Sequence, residues 1–211
     1  MPTHTLYRLA GWAGAVSAAI LVLNSVRRGG LIPDDLAFTH VLAPLAEAFG
    51  LFLITGLFLA DRRRSGTLGL LGYTLNFLGM AGLLGVEYIL NLVFPELPKA
   101  QITGLVDGLT GTMFKASSMV YLAGAVVFGA SLWKAGRAPR VAVAAYALGA
   151  VPVSLRGVLP TATFPPGLLL MAIGVALLGV TLIRRAPQSA LEEAGGPSAA
   201  GGAGRSALVQ P

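Results

Sequence analysis

The chain contains no cysteine, only two histidines and few charged residues, and each scarcity excludes something. Without thiols there are no disulfides and no thiolate metal sites. The two histidines, His4 and His40, are too far apart and too differently placed to build a zinc site. Neither HExxH, GxSxG, a Walker loop nor a GxGxxG opening a helix after a strand occurs, so no soluble-enzyme signature is present and no cofactor or metal is expected. Charged residues make up 11% of the chain, against roughly 25% in an ordinary soluble domain.

What replaces charge is apolar surface. Hydrophobic residues account for 55% of the sequence, and the mean hydropathy is +0.76. A membrane-crossing helix needs about 20 mostly apolar residues to traverse a hydrocarbon core of roughly 30 Å. Six such windows are present, at about 7–26, 37–60, 68–94, 108–133, 141–160 and 166–183. The expected fold is therefore an all-α polytopic membrane protein, a bundle of six transmembrane helices within residues 1–185. The first window is longer than the apolar run of a secretory signal and keeps its small residues "AGAVSAA" inside it, so it reads as a retained helix. Residues 186–211 change to Ala, Gly, Ser and Pro and read as a disordered tail, because they cannot bury enough apolar surface to offset the entropy of ordering.

The net charge of +6 comes from cations at the span ends, not massed on one soluble face, so no nucleic-acid partner is expected. Ten of the fifteen Lys and Arg residues fall at the N-terminus, the second and fourth connections and the C-terminus. By the positive-inside rule this places both termini in the cytoplasm of a multi-pass cell-membrane protein. The connections are short and rich in turn residues, as in "RRGGLIPDD", "FPELPKA" and "LPTATFPPG".

Polar residues inside the spans carry whatever chemistry there is. At about 100° per residue, His40, Pro44 and Glu47 share one side of the second span, and Tyr73, Asn76, Glu87 and Asn91 share one side of the third. Lys115 lies in the fourth span and Arg156 in the fifth, near Pro152. An ionised side chain at the bilayer centre costs about 2.5–3.5 kcal/mol on insertion scales, so such groups pair or face water. Glu47 is about 15 Å from the start of its helix, too deep for a short acid to reach the interface. The expectation is a polar cluster among the second to fifth spans, open to the extracytoplasmic side, with Glu47, Glu87, His40, Asn76, Asn91, Lys115 and Arg156 as candidates for binding an ion or substrate. The glycines of the third span, Gly69, Gly72, Gly79, Gly82 and Gly85, mark it as a central helix closely approached by its neighbours.

Glu47, the basic rim followed by "LGLLGY", and the stretch "SSMVYLAGAVVFGASLWKAGRAPRVAVAAYALGA" together resemble a bacterial family of six-helix integral membrane proteins known only as a domain of unknown function. The resemblance covers about half the chain and implies the six-helix fold, with no activity attached. Three readings stay open on the sequence. One is a small transporter or ion- or proton-coupled permease. A second is a membrane-embedded enzyme acting on a lipid or isoprenoid, with Glu47 as general acid or base. The third is an accessory protein whose charges only pin helices together. The partners expected are the bilayer itself and a small ion, proton or lipid-like molecule.

Overall fold

A computed structural model describes residues 2–33 and 36–194, with side chains as far as residue 187. All regular structure among them is helical: α1 (Thr3–Arg28), α2 (Ala37–Leu42), α3 (Leu45–Tyr88), α4 (Lys99–Asp107), α5 (Leu109–Ala135), α6 (Arg140–Ser154) and α7 (Phe164–Ala194). Four stretches are long and apolar enough to cross a membrane, namely Thr3–Arg28, Ala37–Glu96, Leu109–Ala135 and Thr161–Pro187. The shorter apolar helix α6 has 15 residues, a length of about 22 Å.

Helix α3 is two rods. Gly66, at φ 55° and ψ −152°, breaks it in a region of backbone space open essentially to glycine alone. The chain folds back there, because Phe58 stacks on Tyr73 with ring centroids 4.4 Å apart and the Thr55 hydroxyl lies 3.2 Å from the Tyr73 hydroxyl. We call residues 45–65 its first arm and 67–88 its second. A methyl group at Gly66 would meet no atom within 4 Å, so its cost is conformational only. Gly66→Ala is expected to destabilise the protein by about 1–3 kcal/mol, read as a lower unfolding midpoint in detergent.

The rods pack as antiparallel neighbours in a closed ring: α1, the first arm, the second arm, α5, α6, α7 and back to α1. Small residues permit each close approach. A Cβ on Gly14 would sit 3.3 Å from the Gly179 Cα, which joins α1 to α7. A Cβ on Gly72 would sit 2.6 Å from the Phe128 nitrogen, and one on Gly149 would sit 2.5 Å from the Met171 nitrogen. Gly136, at φ 71°, caps α5 by donating to the Leu132 and Trp133 carbonyls, and Pro139 opens α6 directly after.

The structure departs from the sequence reading at several places. Proline at 44 cannot continue the hydrogen bonding of α2, so the second window divides into α2 and the first arm. The third window ends in a π-helical turn, Ile89–Val93. The "FPELPKA" connection runs into a helix of its own, α4, which Gly108 separates from α5. Helix α6 stops at Ser154, soon after Pro152, so Arg156 lies in the turn that follows. At the other end of the chain, α7 runs on through Pro187 to Ala194, and the rest of the expected tail lies outside the described residues.

Candidate functional site

At the centre of the ring is a cavity of about 30 Å³. Every rod contributes to its wall: Ser17 from α1, Glu47 from the first arm, Met80 from the second, Tyr121 from α5, Tyr146 from α6 and Met171 from α7. Glu47 reaches it because the interruption at Ala43–Pro44 restarts the helix just before it, leaving the carboxylate in the first turn of α3. The positive end of the helix dipole favours an anion there. The neighbouring carbonyl of Ala46 accepts a 2.8 Å hydrogen bond from the Ser17 hydroxyl, tying the first arm to α1 at this level.

The Glu47 side chain is half-buried, yet its Oε2 atom is buried and has no hydrogen-bond partner among the described residues. A buried, unpartnered carboxylate oxygen is costly, so the site has unused binding capacity. Behind the wall residue Tyr146, Asn76 donates through Nδ2 to the Tyr146 hydroxyl at 2.8 Å, and that hydroxyl lies 3.0 Å from Asn76 Oδ1. The Tyr121 hydroxyl donates to the Met171 sulfur at 3.0 Å. Both tyrosines are 2% exposed, so their phenols are interior polar groups and not interfacial anchors.

A second polar group lies towards the C-terminal end of α1. Arg27 donates to the Thr39 hydroxyl at 3.2 Å and to Asn91 Oδ1 at 2.9 Å. Asn91 in turn donates to the Glu87 carbonyl at 2.8 Å and to Glu87 Oε2 at 2.9 Å. Glu87 Oε1 accepts from Arg156 at 3.0 Å. This unbroken chain joins α1, α2, the end of the second arm, the π turn and the segment after α6. Glu87 and Arg156 also lie within electrostatic reach of Glu47, which links this network to the cavity.

Of the candidates read from sequence, Glu47 lines the central cavity, Asn76 adjoins it through its bond to the wall residue Tyr146, and Glu87, Asn91 and Arg156 belong to the adjoining network. His40 is half-buried on α2, next to the network residue Thr39. Lys115 joins neither group: it is exposed on α5 and makes no ion pair among the described residues. Arg27 and Thr39 were missed. Arg27 ends an apolar run and so resembled an outer-loop cation, whereas it is 3% exposed. The one available signal was the polar run of Ser17 and Asn24 on the same helix, which continues towards it.

No protein-family model matches the chain, and comparison with curated proteins and with solved structures finds no match. The site is therefore read from its own geometry. Among the described residues no three His, Asp or Glu side chains converge as metal ligands would. What the arrangement offers instead is one carboxylate beside a water-sized space, bordered by hydroxyl groups and backed by a second acid and its arginine.

Proposed function

We propose that this protein is a small carrier of the cell membrane, crossing six times with both termini cytoplasmic, in which Glu47 binds a proton or a small cation that drives transport. The observation that carries this reading is the unpartnered Glu47 Oε2 at a cavity walled by every rod of the ring. Its size supports an ion over a lipid. About 30 Å³ holds one or two water molecules, or a bare cation, but no acyl or isoprenoid chain.

Each rod of the ring would be one crossing, which is the count that the family resemblance also implies. The distribution of charge supports the orientation. Arg62, Arg63, Arg64, Lys134, Arg137, Arg140, Arg184 and Arg185 collect at the end of the ring where Gly66 and Gly136 turn the chain, and that end would face the cytoplasm. Glu87 and Arg156 then lie between the cavity and the opposite surface.

Backbone irregularities support movement at that side. The Ala43–Pro44 interruption, the π turn at Ile89–Val93 and Pro152 in α6 all lie next to the Arg27–Asn91–Glu87–Arg156 network. Broken helices beside ion-binding groups recur in transporters, because they let one part of a bundle rock against another. In this scheme an ion on Glu47 neutralises the centre. Its release leaves a carboxylate that competes with Glu87 for Arg156, and the broken segments follow the arginine.

The test is a pH jump applied to proteoliposomes on a solid-supported membrane, which records charge displacement without knowledge of a substrate. The wild-type protein is expected to give a transient current that Glu47→Gln reduces to the level of protein-free liposomes and Lys115→Gln leaves in place. A wild-type signal no larger than that of empty liposomes, or an unchanged signal in Glu47→Gln, would overturn the reading.

A further inference from the structure

The basic end of the ring holds a second concavity, independent of Glu47. It is a cleft of about 450 Å³ lined by the α5–α6 connection at Gly136, Arg137, Ala138 and Pro139, and by Thr181, Arg184 and Arg185 of α7. We propose that this cleft binds a phosphate group, carried by an anionic lipid at the membrane surface or by a soluble phosphate.

Three arginines border one space, and the one acid paired with them among the described residues offsets only one of them. Asp61 takes a single nitrogen of Arg185, Nη1, at 3.2 and 3.3 Å from its two oxygens. The other terminal nitrogen, Arg185 Nη2, is buried with no hydrogen-bond partner among the described residues. Arg137 and Arg184 are exposed at the rim, and neither makes an ion pair among the described residues. The cleft thus has a net positive charge and an orphaned donor in its wall, which an anion with several acceptor oxygens would satisfy.

The backbone adds to this. Pro139, in the cleft wall, is the residue from which α6 starts, and that start has no side-chain cap. The first amides of a helix have no intrahelical acceptor, and the helix dipole places partial positive charge there. An uncapped helix start flanked by arginines is the arrangement that holds phosphate. Arg140, next in sequence, is occupied elsewhere, with its guanidinium 5.4 Å from the centre of the Trp133 ring. Trp133 itself is 45% exposed, and exposed tryptophans favour the headgroup level of a bilayer. A lipid phosphate would therefore lie at the depth of this cleft.

The experiment is calorimetric titration of the full-length protein, in neutral detergent, with dihexanoylphosphatidic acid, dihexanoylphosphatidylcholine and inorganic phosphate. The wild type is expected to bind the phosphatidic acid, and Arg137→Gln/Arg184→Gln to bind it roughly thirtyfold more weakly. A control, Arg63→Gln/Arg64→Gln, removes the same charge from the same end of the ring outside the cleft and should keep wild-type affinity. Binding of the lipid without binding of inorganic phosphate assigns the site to lipid, and equal binding of both assigns it to soluble phosphate. The proposal is overturned if the cleft variant binds like the wild type, if the control loses as much as the cleft variant, or if phosphatidylcholine binds as well as phosphatidic acid.

Discussion

Replacing Asp61 by alanine is expected to destabilise the protein by about 3–5 kcal/mol, and replacing Arg185 by methionine by a similar amount. The Asp61 side chain is fully buried and that of Arg185 is 12% exposed, so the acid has no water to fall back on once its partner is gone and the arginine has little. The geometry is that of a tether. Asp61 ends the apolar part of the first arm just before the Gly66 turn, and Arg185 lies on α7, so the pair joins two rods far apart in sequence. Its worth is not the attraction itself, because a buried pair recovers little more than it loses in desolvation. The expected signature is therefore non-additive. Asp61→Leu/Arg185→Met should be more stable than either single variant, as measured by thermal unfolding in detergent. Equal losses in the single and double variants would show that packing and not charge holds this end.

How much of this was legible in the sequence depends on what periodicity can report. Apolar length located the rods, and glycine or proline located most of their ends, because both act through the local backbone. The turn at Gly66 falls between the windows ending at 60 and beginning at 68, as expected. Relative height along the rods was also legible. Counting along two helices placed Glu87 and Arg156 at comparable heights along the bundle, and they pair at 3.0 Å. Direction around the ring was not. A helical wheel gives a residue's face relative to its own helix, but which neighbour that face meets depends on how the ring closes. Lys115 was expected at a depth like that of Arg156, yet it is exposed and makes no ion pair among the described residues. Arg27 was hidden for a related reason. The π turn that carries Asn91 within reach of both Arg27 and Glu87 is a local rewinding that an even 100° per residue does not represent.

The glycines that close the ring predict the other large effect. Between the second arm and α5, contact is backbone against backbone: a Cβ on Gly124 would overlap the Asn76 nitrogen and Cα, and one on Gly79 would overlap the Tyr121 backbone. No rotamer change can relieve either clash, since the obstructing atoms are main chain, so the two rods must separate along their length. In lipid nothing recovers that loss, because apolar side chains gain little by packing against each other over packing against acyl chains. Gly124→Val is expected to cost about 3 kcal/mol or more, beyond the usual range for overpacking a side-chain core. Gly85→Val, at a glycine of the second arm with no atom within 4 Å of its would-be Cβ, should cost well under half as much. Tyr121 lines the central cavity from this seam and Asn76 holds the wall residue Tyr146, so separation here also disturbs the wall that Glu47 shares. Folded yield by fluorescence-detected size exclusion and the unfolding midpoint of the surviving fraction measure the difference. Equal behaviour of the two variants would mean that the rods are not in main-chain contact at Gly124.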